Sequence, residues 1–197
     1  MRFQPAVVNR LILVTLSGLL TWPVSAHCSD VVEILNRVAI NPPAKVAFRE
    51  ERHNSMLQEP LVLNGYLEYL APGQMRKVVE TPYREVFTIT DSAVEIERDG
   101  QNQKLSLRRS RSLKTLLSGI EAIISGDENQ LMDSFELELH ESDRDWSIRF
   151  TPRSRRVARN LEGLYVSGSD DVIVSIRVYL CDGEWQLIEL QQDRDSS

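Results

Sequence analysis

The sequence predicts a mainly β protein, most simply one strongly curved antiparallel sheet with helical insertions at two places. Three observations predict it. Short runs with period-two alternation recur along most of the chain, amounting to about eleven strands. Turn signals separate them at short intervals, as at Pro72-Gly73, Asp99-Gly100, "SGSDD" and "CDGE". Only the stretches near residues 30 and 112–132 switch to helical spacing.

The first 26 residues read as a secretory signal peptide. Arg2 and Arg10 precede an uncharged run from Leu11 to Leu20, and Val24 and Ala26 are spaced like the small residues of a cleavage site. That run is too short and wrongly flanked for a membrane anchor. Cys28 does not complete a lipoprotein signal, because His27 and Ser25 replace the small and leucine positions such sites carry. Residues 27–197 then form one domain, and nothing in them marks a repeat or linker. Cleavage removes two arginines and no acid, taking the formal charge from −6 to −8. So acidic a chain argues against nucleic acid as its main partner, and the expectation is a monomer in the periplasm or an equivalent space. That space is oxidising, so a Cys28–Cys181 disulfide and two free thiols both stay open.

Along the mature chain, "SDVVEILNRVA" predicts a helix capped by Asp30 with Glu33 three residues on, its apolar stripe being Val31, Val32, Leu35, Val38 and Ala39. "NPP" at 41–43 ends it. About six strands follow between Ala44 and Leu107: "AKVAFREER", "LVLNGYLEYLA", "QMRKVVET", "REVFTITD", "AVEIERD" and "QKLSL". In the second, Gly65, Leu67 and Tyr69 share one face, while Tyr66, Glu68 and Leu70 share the other. Both faces thus carry large apolar groups. From Ser112, Leu113, Leu116, Leu117, Ile120, Ile123 and Ile124 mark an amphipathic helix stopped by Gly126. Asp127 and Gln130 start a shorter one ending near Met132. Strands resume with "SFELELHE" and "WSIRFTP", and 161–191 holds three more.

Catalytic chemistry is not written in this pattern, and no catalytic residue, metal or cofactor is expected. His27, His53 and His140 lack ligand spacing to one another or to a cysteine, and no nucleophile elbow, phosphate loop or dinucleotide fingerprint occurs. Asp143, Asp145, Asp170 and Asp171 fall in turns, where aspartate serves turn geometry. Two basic clusters stand out: Arg108, Arg109 and Arg111, then Arg153, Arg155, Arg156 and Arg159. They are either solvated loops or surfaces that meet anionic headgroups or an acidic partner. Phe48, Glu50 and Arg52 share a strand face, as a strand-end ion pair or at a cavity rim.

The order of these pieces resembles a family. A signal peptide, a capped helix, "FREER", "PLVLNGYLEYLAPGQMRKVVETP", "LLSGIEAIISGDENQLMDSFELEL" and "WSIRFTP" succeed one another. This is similar to the periplasmic lipoprotein carriers of the LolA family, and closest to the divergent LolA-related proteins of aryl polyene (xanthomonadin-type) gene clusters. The resemblance implies an incomplete β-barrel with an α-helical lid around an apolar cavity. Phe48, Leu67, Tyr69, Met75 and Phe87 would line it, with Leu116, Ile120 and Ile123 contributed by the helix. Ala71 stands where the family has an arginine that helps hold the lid closed, Met75 where it has an aromatic of the cavity mouth, and Lys77 where it has a tryptophan. The implied function is a carrier that binds an acylated cargo (lipoprotein, lipid or aryl-polyene lipid) and moves it from an inner-membrane exporter toward an outer-membrane acceptor. A LolA-fold lipid-sensing adaptor or regulator of a membrane partner is the alternative.

Overall fold

A computed structural model describes residues 28–56 and 58–191, with side chains from Asp30 onward. The expected signal peptide and its cleavage site lie outside the described residues. No described helix is long and apolar enough to cross a membrane.

Helix α1 (Cys28–Val38) leads into a first meander: β1 (Ala44–His53), β2 (Leu61–Ala71), β3 (Gln74–Thr81), β4 (Glu85–Thr90), β5 (Ala93–Arg98) and β6 (Gln101–Ser106). Helices α2 (Arg111–Ser125) and α3 (Glu128–Ser134) follow. A second meander completes the chain: β7 (Phe135–Ser142), β8 (Asp145–Pro152), β9 (Leu161–Ser169), β10 (Val172–Leu180) and β11 (Trp185–Gln191). The turns form where the sequence places residues tolerant of positive φ: Gly73, Asp99-Gly100, Asp143, Asp170 and Gly183 all adopt it.

All eleven strands belong to one antiparallel sheet in the order β6-β5-β4-β3-β2-β1-β11-β10-β9-β8-β7. Every neighbouring pair but one is a sequence-adjacent hairpin; β1 with β11 is the exception and joins the two meanders. The two edges, β6 and β7, are consecutive in sequence but do not pair, so the sheet stays open. The chain between those edges is α2 and α3.

Registration across the strands puts one residue of every two on the helix-bearing face. The core divides there. The larger cluster gathers Val31, Ile34, Leu35 and Val38 of α1, Ala122 and Ile123 of α2 and Leu131 of α3 against β7–β10. The smaller one holds Phe48, Leu63, Val79 and Ile188, with Leu67 and Phe87 packed against it. Two details of α1 differ from expectation. It begins at Cys28, which puts Asp30 inside the first turn rather than at the cap, and its buried face includes Ile34, while Val32 is half-buried and Ala39 exposed. The true face follows a spacing of i, i+3, i+4 and i+7.

Candidate functional site

The inner face of the β1–β5 half is built by register. Phe48 lies opposite Gly65, Glu50 opposite Leu63, and Arg52 opposite Leu61. A row runs from Val46 through Leu67, Lys77 and Phe87 to Ile96. Gly65 is required there, because a Cβ would lie 1.9 Å from the Val78 carbonyl oxygen. Leu67, Phe87 and Ile96 remain partly exposed, so this half of the sheet carries an apolar strip that no element fully covers. On the opposite face of β2, Tyr66 lies under the Lys45 ammonium, 3.5 Å from the ring centroid, and Leu70 is open to solvent. Charged side chains lie over that second face: Lys45 on Tyr66, and Lys45 and Arg76 beside Glu68.

An ion triad interrupts the strip. Glu50 is fully buried and accepts from Arg52 Nε at 2.6 Å and from Lys77 Nζ, whose ammonium also lies 4.9 Å from the Phe48 ring centroid. Burial pushes the Glu50 carboxyl up, but the charges of Lys77 and Arg52 and their hydrogen bonds prevail, holding it below the usual carboxylate range. Burial likewise pushes the Lys77 ammonium down, and the attraction of Glu50 does not fully restore it. Lys77 was not foreseen as the partner of Glu50. It lies two strands away, and its long side chain reaches Glu50 diagonally from the row of Val46 and Leu67.

Helix α2 packs on the β7–β10 half and reaches toward this face only at the β2–β3 turn. Ser110 caps it by accepting from Leu113 N–H, and Gly126 ends it in the left-handed conformation. Its buried residues are Gly119, Ala122 and Ile123, while Leu113, Leu116, Leu117, Ile120 and Ile124 are half-buried. Gly119 lets the helix lie on Phe135; a Cβ would come within 2.8 Å of that ring. Polar ties hold α2 to the α1 and β7–β10 side: Ser112 Oγ donates to the Val157 carbonyl, and Ile40 N–H donates to Ile124 O. Toward the other half, the Gly73 N–H of the β2–β3 turn donates to the Glu121 carboxylate. Among the described residues that is the one hydrogen bond from α2 to the β1–β6 half. Burial, then the Glu121 charge, pushes the nearby Tyr69 hydroxyl up. Glu121 is the only acid of this helix, and that oddity was the signal available for it.

The eight expected cavity residues fall into three groups. Phe48, Leu67 and Phe87 meet in the smaller cluster; Leu116, Ile120 and Ile123 join the larger one; Tyr69 and Met75 face each other across β2 and β3. None of the eight lines either of the two surface depressions. Two surface depressions of about 380 and 450 Å³ lie elsewhere and are polar. The smaller brings together Arg108, Arg109 and Arg111 with Arg156, so the two basic clusters of the sequence meet in space. Arg155 is exposed outside it, and Arg153 pairs with Glu136 at 3.6 Å while donating to Met132 and Phe135 carbonyls. Cys181 is a free, exposed thiol 3.2 Å from the Ala158 carbonyl oxygen; the side chain of its expected partner, Cys28, lies outside the described residues. No group of metal-binding side chains occurs among the described residues.

The architecture is thus an open antiparallel sheet with its helices on one face. A family profile described as "Outer membrane lipoprotein carrier protein LolA-like" matches residues 23–192. The chain belongs to this LolA-like family. Among solved structures, a LolA superfamily protein from Nitrosomonas europaea is similar at 7% identity, over 85% of this chain and 93% of that one, with a TM-score of 0.47. A putative outer membrane lipoprotein-sorting protein domain from Vibrio parahaemolyticus matches at 7% identity, over 84% and 92%, with a TM-score of 0.43. The Pseudomonas aeruginosa MucA/MucB complex contains a chain matched at 14% identity, over 83% of this protein and 56% of that one, with a TM-score of 0.42. No curated protein matches the sequence significantly. LolA-like proteins are carrier and binding proteins, and the fold of the described residues, mostly β with three helices and an unclosed sheet, is of that kind.

Proposed function

We propose that this LolA-like protein is a periplasmic carrier that takes an acyl chain between α2 and the inner face of β1–β5, and hands it from an inner-membrane donor to an outer-membrane acceptor without catalysis. The observation that carries this reading is incomplete coverage. Leu67, Phe87 and Ile96 on the sheet, and Leu113, Leu116 and Leu117 on the helix, stay partly exposed where an ordinary core would be closed. In such a carrier α2, tied to the β1–β6 half by a single hydrogen bond among the described residues, would move to admit cargo.

On the resemblance, Ala71 stands where the family has its lid-holding arginine, and release would then use another device. An acylated or aryl-polyene-lipid cargo, rather than a classical lipoprotein, suits the altered mouth at Met75 and Lys77. The test is binding of a fluorescent fatty acid together with thermal unfolding. Leu116→Ala should weaken probe binding while costing less than the roughly 2–5 kcal/mol of a packed core leucine. Phe87→Glu should weaken it more, since a carboxylate is costly to desolvate beside an acyl chain. A wild type that binds no probe, with Leu116→Ala destabilised across that full range, would leave a solidly packed domain and end the carrier reading.

A further inference from the structure

Four arginines gather at the N-terminus of α2 in a protein whose net charge is negative. Arg108, Arg109 and Arg111 precede or open the helix, and Arg156 arrives from the loop between β8 and β9; together they line a depression of about 380 Å³. Their arrangement is electrostatically costly. None of the four makes an ion pair among the described residues, although the chain holds 29 acids against 23 lysines and arginines. The first turn of α2 carries no acid, so the positive end of the helix dipole adds to the four charges. The walls are nevertheless fixed: Asn160 Nδ2 donates to Ser112 Oγ at 3.1 Å, and Ser112 donates to the Val157 carbonyl. A like-charged, braced and unneutralised cluster breaks a local rule without gain inside the protein. The missing term is an external anion.

We infer that this pocket docks the protein on a bilayer by taking the phosphate of an anionic phospholipid headgroup between Arg109, Arg111 and Arg156. A bilayer suits the observations better than a free phosphate, because the basic surface continues beyond the pocket. Arg155 and Arg159 are exposed beside it and also lack ion pairs among the described residues. Guanidinium groups recognise phosphate oxygens bidentately, and several together hold an anionic surface by charge. The inference goes beyond the carrier reading and stands or falls separately from it.

The experiment is vesicle flotation with the whole protein, using phosphatidylcholine vesicles with and without phosphatidylglycerol. Wild type should float only with the anionic vesicles, and added salt should release it. Each arginine near a charged surface contributes about a fivefold change in partitioning, so Arg109→Gln with Arg156→Gln should reduce flotation by roughly 25-fold. Fatty-acid binding by that double variant should remain, which separates this surface from the cargo site. Equal flotation with neutral and anionic vesicles, or an unchanged double variant, overturns the inference. So does inorganic phosphate that binds the protein in calorimetry while no vesicle does, since the site would then serve a soluble anion.

Discussion

Glu50 has no exposed surface, yet it lies on the inner face of a sheet built mainly from aliphatic side chains. Desolvating such a carboxylate costs several kcal/mol, and Lys77 and Arg52 offset this only by being present together. Lys77→Met should therefore lower stability by about 3–5 kcal/mol, read from the urea midpoint. Glu50→Leu combined with Lys77→Met should cost less than Lys77→Met alone, because no carboxylate is left stranded and Arg52 can reach water. Acid should act through the same group. Its folded-state value lies below the ordinary one, so the unfolded chain takes up the proton first. The stability Glu50 contributes is complete above the ordinary carboxylate range and is lost as the pH falls through its folded-state value. Midpoints measured from about pH 6 downward should fall more steeply for wild type than for Glu50→Gln; parallel curves would remove Glu50 from the acid response. Alternation alone put Phe48, Glu50 and Arg52 on one face. It could not supply Lys77, because that partner lies two strands away in the row of Val46 and Leu67 and reaches Glu50 diagonally.

Among elements, α2 separates what was legible from what was not. Its extent and its Gly126 stop follow from helical spacing, and the cap, Ser110, lies two residues before Ser112, where that spacing begins. Which residues it buries does not follow, since the deepest are the small Gly119 and Ala122 with Ile123, chosen by the approach to Phe135. The strands of both meanders were legible for a local reason: each is bounded by turn residues and alternates within itself. The convergence of Arg111 with Arg156 was not, because the loop between β8 and β9 reaches α2 only in the folded molecule. Asymmetric attachment of α2 has a measurable outcome. Glu121→Ala leaves the Gly73 amide without its acceptor and should cost about 1–3 kcal/mol. Hydrogen exchange should then quicken across α2 and the β2–β3 turn while α1 and β8–β10 keep their protection, and a bound fatty-acid probe should exchange faster. Unchanged protection of α2 would show that Glu121 does not hold the cover.

At the scale of the whole molecule, the two halves are unequal. The larger cluster binds three helices to β7–β10, whereas β6 is exposed along its length and the smaller cluster rests on four buried side chains. Native-state hydrogen exchange should therefore report lower opening free energies for β4–β6 than for β8–β10; equal values would mean that the sheet opens only as one unit. The seam between β1 and β11 binds these halves, with Arg49 donating to Glu189 across it at 3.1 Å over a separation of 140 residues. Deleting residues 185–197 should leave both β1 and β10 as raw edges, and the product should aggregate rather than fold as two meanders. The chain emerges N-terminus first, so β1 is available long before its partner, which belongs to the last strand. Until then its unpaired amides and carbonyls are a template for any strand that comes near. Wherever the chain folds, that first edge needs shelter until β11 reaches it, and only then do the two meanders become one sheet.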